Sequence, residues 1–147
     1  MTLHFINATL IDPKNGTEFE GSVSVEGDRI TAVTKGGIAN PKGKIIDCGG
    51  KYLAPGIVDL GVFSVDKRAC IAGGITRIAL MPDQTPVLDE PGIVQRAALA
   101  AKPDLWVHPL AAATRGLAGR ELGEFAMMRK AGARAVATGR QWIADSG

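Results

Sequence analysis

The spacing of apolar residues divides the chain into two parts with different periodicities. In residues 1–53, short apolar runs alternate with small or polar residues at period two, and turn residues such as Asn15-Gly16 separate the runs. This pattern is typical of strands in a small β unit. We expect strands over residues 3–6, 21–25, 30–33 and 44–48.

From residue 54 the pattern changes to apolar strands that alternate with helical segments. The helical segment 89–101 has Pro91 in its first turn and apolar residues at spacings of three and four, which is typical of a helix with one buried face. Alternating strands and helices predict a parallel sheet. The pattern predicts strands over 57–62, 75–81, 105–110 and 133–137, and helices over 66–72, 89–101 and 118–130.

The predicted fold class is therefore α/β. A partial (β/α) TIM-type barrel occupies residues 54–147, and a small N-terminal β unit occupies residues 1–53. A complete barrel of this type has eight strands and typically about 250 residues. Four strands leave an apolar inner face and two unpaired edges. Three explanations stay open: the chain is part of a longer protein, it pairs with a second copy, or a different subunit covers it.

Composition narrows the classes of partner. The net charge is +2, charged residues make up 22% of the chain, and Lys and Arg are scattered, which argues against a nucleic-acid surface. Cys48 and Cys70 lack metal-ligand spacing, as expected of a reduced cytoplasmic protein. The N-terminus has no signal-peptide pattern, and no apolar run approaches the roughly 20 residues that span a bilayer. We expect a cytoplasmic protein with neither nucleic-acid nor membrane partners.

Several segments carry a family resemblance. The strand 57–62 rises from Pro55-Gly56 and ends in Asp-x-Gly-x-Phe, and the segments MPDQTPV (81–87) and HPLAAATRGLAGREL (108–122) follow in order. Residues 131–133 and the closing residues 144–147 fit as well. Over essentially its whole length the chain resembles the dihydroorotases of the amidohydrolase superfamily, in particular the bacterial type associated with aspartate transcarbamoylase. Hydantoinases, dihydropyrimidinases and allantoinases match the middle segments less well.

The resemblance implies a metal site whose ligands this chain lacks. The family's first barrel strand ends in His-x-His, and the two matching positions are Gly61 and Phe63, neither of which has a lone pair for zinc. The family's substrate-binding arginine matches Val65. Its asparagine matches Asp83, whose carboxylate repels an anionic substrate. Its metal-binding aspartate after the fourth strand matches Thr138, and the loop after the first strand is shortened.

We therefore predict a non-catalytic dihydroorotase-like protein of pyrimidine biosynthesis, with no catalytic residue, metal ligand or cofactor in this chain. The resemblance implies aspartate transcarbamoylase as its structural partner, and a homo-oligomer is an open alternative. Two other hypotheses are kept. The chain is a piece of an active zinc amidohydrolase that hydrolyses the cyclic amide of dihydroorotate, or it is a half-barrel that self-assembles without a metabolic partner.

The remaining polar residues have structural interpretations. We expect His4 at the surface, Cys70 as a small buried residue and not a nucleophile, and Asp59 as a tie at the bottom of the barrel. His108 fits a hydrogen-bonded core histidine better than a lone metal ligand or base, because no second ligand is near it in sequence.

Two loops have competing interpretations. Asp89 and Glu90 are placed to supply the N-cap and a first-turn acid of the second helix. The segment Thr114-Arg115-Gly116 is expected to be a solvated loop, with an anion site as the alternative. The glycines, including Gly73-Gly74, do not fit a dinucleotide or P-loop frame, which argues against nucleotide binding.

Overall fold

The computed structural model of the protein describes residues 1–143. The closing segment 144–147, which took part in the family resemblance, lies outside the described residues. The chain forms two compact units, Met1–Pro55 and Gly56–Gly147. Each unit has its own sheet and its own core.

The first unit is a five-stranded sheet. Strand β1 runs antiparallel to β2, β2 runs antiparallel to β3, and both β4 and β5 lie parallel to β1. The four predicted strands are present, and the first three are longer than predicted. The two residues of β5 are too few to show alternation, so this strand was not predicted. The bounds are β1 Thr2–Asp12, β2 Thr17–Glu26, β3 Arg29–Lys35, β4 Lys44–Asp47 and β5 Tyr52–Leu53.

A small apolar cluster and one buried histidine hold this sheet together. Ala8, Leu10 and Val23 are buried, and Phe5 and Phe19 pack against them. The turn between β1 and β2 is fixed by Asp12, whose Oδ1 accepts hydrogen bonds from the backbone N–H groups of residues 14 and 15 at 3.0 and 3.3 Å.

The surface position expected for His4 is wrong. His4 is 7% exposed. Its Nδ1 lies 2.9 Å from the Ser24 hydroxyl oxygen, and its Nε2 lies 3.1 Å from the Lys42 carbonyl oxygen. Because the carbonyl can only accept, Nε2 is the donor in that contact. The imidazole therefore ties β1 to β2 and to the loop before β4.

The second unit confirms the α/β fold class. Four strands form one parallel sheet in the order β6-β7-β8-β9, and helices follow the first three of them in sequence. This is half of a (β/α) barrel. The elements are β6 Ile57–Val62, α1 Lys67–Ala72, β7 Ile75–Leu80, α2 Pro91–Leu99, β8 Trp106–Ala112, a 3-10 turn Arg115–Leu117, α3 Phe125–Lys130 and β9 Ala135–Ala137.

The core of this unit lies between the sheet and the helices. Ile78 on β7 and Val94 on α2 are both 0% exposed, and Met128 on α3 is 1% exposed. Cys70 on α1 belongs to the same cluster, as expected for a small buried residue. Each large side chain buried in this way contributes about 1.5–3 kcal/mol. The cluster fixes the strands whose ends carry the candidate site.

The third helix is shorter than predicted, because residues 118–124 are used by the preceding loop. The buried Thr114 accepts a hydrogen bond on Oγ1 from the Gly119 N–H at 2.9 Å and forms a β-bridge with Leu122. The Gly123 N–H donates to the Ala113 carbonyl at 3.0 Å. These contacts hold the chain in a closed loop, and the helix begins only at Phe125.

Within residues 1–143, none of the helices has both the length and the apolar character needed to cross a bilayer.

Candidate functional site

The candidate site is the edge of the parallel sheet at the carboxyl ends of its strands. Phe63 directly follows β6, Asp83 follows β7, and Thr138 directly follows β9. In parallel βα sheets this edge is where ligands and catalytic residues collect. Three of the five positions that the family resemblance singled out therefore lie on one edge.

An arginine joins two of these positions. The Nε of Arg140, two residues after Thr138, donates to Asp83 Oδ2 at 2.5 Å. The same guanidinium lies over the Phe63 ring, with its central carbon 4.9 Å from the ring centroid. The contact connects the ends of β6, β7 and β9. We call Phe63, Asp83 and Arg140 the carboxyl-end cluster.

The Asp83 carboxylate is the least exposed member of this cluster. Its side chain is 12% exposed, against 70% for Arg140. Its Oδ1 is buried and has no hydrogen-bond partner among the described residues. Gly139 closes one side, since a Cβ at that position would lie 3.3 Å from the Asp83 Cβ and the backbone there has φ +66°. A glycine is favoured at such a position because it tolerates both the space and the backbone angle.

Gln84 ties the same two strand ends together. Its Nε2 donates to the carbonyl oxygens of Phe63 and Met81, each at 3.0 Å. The Met81 N–H also donates to the Val62 carbonyl at 2.8 Å. These hydrogen bonds fix the backbone on which Phe63 and Asp83 lie, at the ends of β6 and β7.

The other singled-out positions stand apart from the carboxyl-end cluster. A Cβ on Gly61 would meet nothing within 4 Å, so this position faces open space. Val65 is 37% exposed in the turn before α1, and Thr138 is exposed. The role expected for Asp59 is wrong: its Oδ1 accepts the N–H of Gly61 at 3.0 Å, which is a local contact within β6 and not a tie at the bottom of the barrel.

The residues at this edge do not fit a zinc ion. Zinc takes Cys, His or carboxylate ligands, and a catalytic site normally supplies three of them. Gly61 and Phe63 have no donor atom, and the one carboxylate in the cluster, Asp83, is paired with Arg140. Across residues 1–143, no three His, Cys, Asp or Glu side chains converge on one point. The arrangement supports a closed polar contact better than metal chemistry.

The loop after β8 uses its polar groups internally. The Gly116 N–H donates to Asp89 Oδ2 at 2.7 Å, and Arg115 pairs with Glu121 at 3.4 Å. The N-cap role expected for Asp89 is therefore wrong, because Glu90 occupies the N-cap of α2 and makes no side-chain capping bond. The anion held by the Gly116 amide is the chain's own carboxylate, and Arg115 and Gly116 are exposed, in agreement with the expected solvated loop.

His108 lies on β8, away from the carboxyl-end cluster. It is partly buried, and its ring has no hydrogen-bond partner among the described residues, so the expected hydrogen-bonded core histidine is wrong. Burial lowers the pKa of His108 below its ordinary value of 6.5, and the positive charges of Arg134, Arg77 and Lys102 lower it further. The ring is therefore surrounded by cations and not by ligands or bases.

Sequence reasoning missed Arg140 and Gln84. Both lie at positions that follow parallel strands, and the carboxyl ends of such strands meet at one edge. An acid after β7 and a base after β9 were therefore a usable signal for an ion pair. The stacking on Phe63 had no such signal, since it depends on side-chain directions.

Comparison with known proteins gives a consistent family. No protein-family model matches the chain. A dihydroorotase-like protein of Pseudomonas putida is 32% identical over 99% of this chain and 38% of its own length. A dihydroorotase of Solibacter usitatus is 33% identical over 88% of this chain and 33% of its own length. The chain thus spans less than two fifths of the length of these curated relatives.

The solved structures agree on the fold. An L-hydantoinase from Arthrobacter aurescens superposes with a TM-score of 0.70 at 22% identity, over 89% of this chain and 31% of that chain. At this identity the likeness supports the shared barrel architecture and carries no information about substrate.

Proposed function

We infer that this chain belongs with the dihydroorotases and dihydroorotase-like proteins of the amidohydrolase superfamily. From that premise we propose that it is a non-catalytic member, which serves pyrimidine biosynthesis as a structural partner of aspartate transcarbamoylase. The family membership comes from relatives that match almost the whole chain. The non-catalytic role and the partner are the proposal.

The observation that carries the non-catalytic role is the carboxyl-end cluster. Where the family would place a histidine ligand, Phe63 lies under the guanidinium of Arg140, and Asp83 binds the same guanidinium. The cluster offers a single carboxylate, and that carboxylate is paired with Arg140, whereas a catalytic zinc that holds the attacking water normally has three protein ligands. A structural role requires that the core residues continue to pack, and it does not require metal ligands.

The partner is inferred from the resemblance to the transcarbamoylase-associated type of dihydroorotase. The exposed apolar side chains of β6 support the need for some covering surface, because Ile57, Val58 and Leu60 are between 50% and 76% exposed. Burial of such a strand in an interface would remove both its apolar surface and its unpaired edge from water.

The test of the non-catalytic role is metal content together with activity. Chain purified without a metal-binding tag and then dialysed against zinc should retain zinc far below one ion per chain, and should not hydrolyse dihydroorotate above a blank. A zinc-dependent dihydroorotase handled in the same buffers is the control. Stoichiometric zinc, or hydrolysis that a chelator abolishes, would contradict the proposal.

The test of the partner is light scattering behind size exclusion, on the chain alone and mixed with aspartate transcarbamoylase from the same organism. A larger particle of fixed stoichiometry is the expected result. Separate elution of the two proteins at concentrations well above micromolar would remove the structural-partner role while leaving the metal result intact.

A second candidate, self-assembly into a closed barrel, is favoured by one observation. Four parallel strands are half of the eight in a (β/α) barrel, and the outer strands β6 and β9 each have one unpaired edge within the described sheet. Under this hypothesis the same light-scattering run gives a particle of two chains whose mass is unchanged by the transcarbamoylase.

A further inference from the structure

The amino-terminal end of the second sheet carries a concentration of positive charge around one tryptophan. Trp106 begins β8 and is 44% exposed. The Lys102 ammonium lies 4.5 Å from the centroid of its ring, and the central carbon of the Arg77 guanidinium lies 5.5 Å from the same centroid. Two cations thus share one indole, in an arrangement that holds both side chains beside β8.

A cavity opens next to this tryptophan. Its polar lining consists of Lys102, His108, Arg134 and Gln95, and Trp106 forms part of its wall. Its volume is about 260 Å³. That is several times the ~30 Å³ that one water molecule takes up in the liquid, and below the roughly 300–1,000 Å³ of sites for drug-sized ligands. The space suits a small polar ligand.

The positive charges around the cavity have no counter-ion among the residues that the structure describes. Within residues 1–143, neither Arg77, Lys102 nor Arg134 forms an ion pair. The acid of the same loop, Asp104, pairs instead with Lys67 at 2.6 Å. Other exposed cations of this unit also lack an ion pair among the described residues, but here three of them lie close together around one tryptophan and one cavity.

We propose that this cavity binds the phosphate group of a small molecule, with Lys102 and Arg134 as its direct ligands and Arg77 as an added positive charge. A guanidinium donates two parallel hydrogen bonds to phosphate, and an ammonium adds a point charge. Three cations are better balanced by a phosphate of charge between −1 and −2 than by a single carboxylate. Gln95 and the His108 ring are placed in the lining to add neutral hydrogen bonds.

The pKa of His108 supports the same assignment. Burial and then the neighbouring cations lower the pKa of His108, so the ring is held neutral near pH 7 when the cavity contains no anion. An anion in the cavity offsets those cations and raises the pKa of His108 again. A rise in the pKa of His108 therefore indicates that an anion has bound in the cavity.

This site does not depend on the proposed function. Arg77 lies near the start of β7 and Trp106 begins β8, whereas the carboxyl-end cluster follows the ends of β6, β7 and β9. A dihydroorotase-like protein with or without metal would present the same cavity. Failure of one proposal therefore leaves the other standing.

The test is an NMR titration of the whole chain, following the two histidine side chains. The chain has His4 and His108, and His4 is buried in the first unit, where it serves as the internal control. Inorganic phosphate, pyrophosphate and adenosine monophosphate are added in parallel, against sodium chloride at matched ionic strength. We expect a saturable shift of the His108 signal, with a rise in its pKa, and no comparable change at His4.

Two variants locate the binding. Lys102→Gln and Arg134→Gln should each weaken the apparent affinity roughly tenfold or more, the usual loss for a charge-assisted hydrogen bond. Arg120→Gln, which removes an exposed charge from the loop after β8, should bind as the unmodified chain does. Unchanged amide signals of buried residues in the second unit, such as Ile78 and Val94, show that a variant is folded, and either of the two variants alone suffices for the comparison.

Comparison of the three titrations also distinguishes free phosphate from an organic phosphate as the ligand. Equal affinity for phosphate and adenosine monophosphate would indicate a site for the free ion, and tighter binding of the nucleotide would indicate an organic phosphate. Shifts that never saturate, or that sodium chloride reproduces, would mean simple screening and would overturn the proposal. Undiminished binding by both the Lys102 and Arg134 variants would overturn it as well.

Discussion

The two ends of the parallel sheet contain the same kind of contact and differ in electrostatic balance. At the carboxyl end, Arg140 lies over Phe63 and pairs with Asp83. At the amino-terminal end, Arg77 and Lys102 lie over Trp106, and neither they nor Arg134 pair with an acid among the described residues. The carboxyl end has a carboxylate that balances its arginine, and the positive charge at the amino-terminal end is available to a ligand.

The family resemblance concerns only one of these two ends, and the proposed ligand site lies at the other. The family resemblance directs attention to the carboxyl end, where Arg140 binds Asp83 and lies over Phe63. A guanidinium held by its own carboxylate offers little to a ligand, because an incoming anion must first displace that carboxylate. The amino-terminal end carries no remnant of the family site, yet it has the uncompensated charge that attracts an anion.

The largest expected effect comes from the core that both ends share. Ile78 on β7 is 0% exposed and lies between the two ends. Ile78→Ala should lower the free energy of unfolding of this unit by about 2–5 kcal/mol, through lost burial and the cavity left behind. Urea unfolding followed by tryptophan fluorescence measures it.

The matched control is Ile71→Ala on α1, where the side chain is 50% exposed. That change should cost about 0.5 kcal/mol or less, as is usual at the surface. Equal losses in the two variants would mean that the sheet does not organise the unit, and the comparison of its ends would lose its basis.

The next effect isolates the carboxyl-end cluster. A double-mutant cycle with Asp83→Asn and Arg140→Gln should give a coupling energy of about 1 kcal/mol, at the upper end for a pair with one exposed partner. The value is limited because Arg140 is 70% exposed and solvent screens it, while Asp83 is 12% exposed. Urea unfolding of the four proteins supplies the cycle.

The pair Arg115 and Glu121 provides the control cycle. Both side chains are more than half exposed and their charged atoms are 3.4 Å apart. Their coupling should be close to zero. A coupling at Asp83 and Arg140 no larger than this control would show that the cluster is an incidental surface contact.

A smaller effect of opposite sign is expected at the amino-terminal end. Arg134→Gln removes one of three uncompensated cations, so at low salt and without phosphate it should raise the free energy of unfolding by about 0.5 kcal/mol or less. Arg140→Gln should lower it. Above about 0.5 M salt the gain from Arg134→Gln should vanish, because the charges are then screened. A destabilised Arg134→Gln at low salt would indicate that Arg134 has a structural partner.

The sequence predicted what depends on local periodicity. Strand β6 begins and ends where expected, and Asp66 caps α1 by accepting the Ala69 N–H at 2.9 Å. Helix α3 was predicted too long, because the apolar spacing of residues 118–124 also fits a loop held by Thr114. The hydrogen bond between the Thr114 hydroxyl and the Gly119 N–H favours the loop over the helix. A pattern of hydrophobic residues cannot predict this bond.

Both ends of the sheet show why the site was harder to predict than the fold. From the sequence, Gly61 and Phe63 lead to the prediction that metal ligands are missing, which stays a prediction, and nothing in the sequence indicates that Arg140 reaches Phe63 and Asp83 from the end of β9. At the other end, Arg77, Lys102 and Arg134 lie on three separate segments and read as scattered charge. Only the parallel pairing of β7 with β8, and the turn into β9, places these residues around Trp106.

The smallest effect concerns His108 and follows from the charge at its end of the sheet. Burial and the neighbouring cations lower its folded-state pKa below the ordinary 6.5, so between these two values the unfolded chain binds more protons than the folded one. The free energy of unfolding should therefore fall as the pH drops below 6.5 and level off below the folded-state pKa. His108→Asn, which stays neutral, should remove this part of the pH dependence when the two unfolding profiles are subtracted. Saturating phosphate should flatten the profile of the unmodified chain in part, because a bound anion offsets the cations that lower the pKa while the burial remains. A difference profile that rises as the pH falls would instead place a carboxylate beside His108, and the contrast between the two ends of the sheet would disappear.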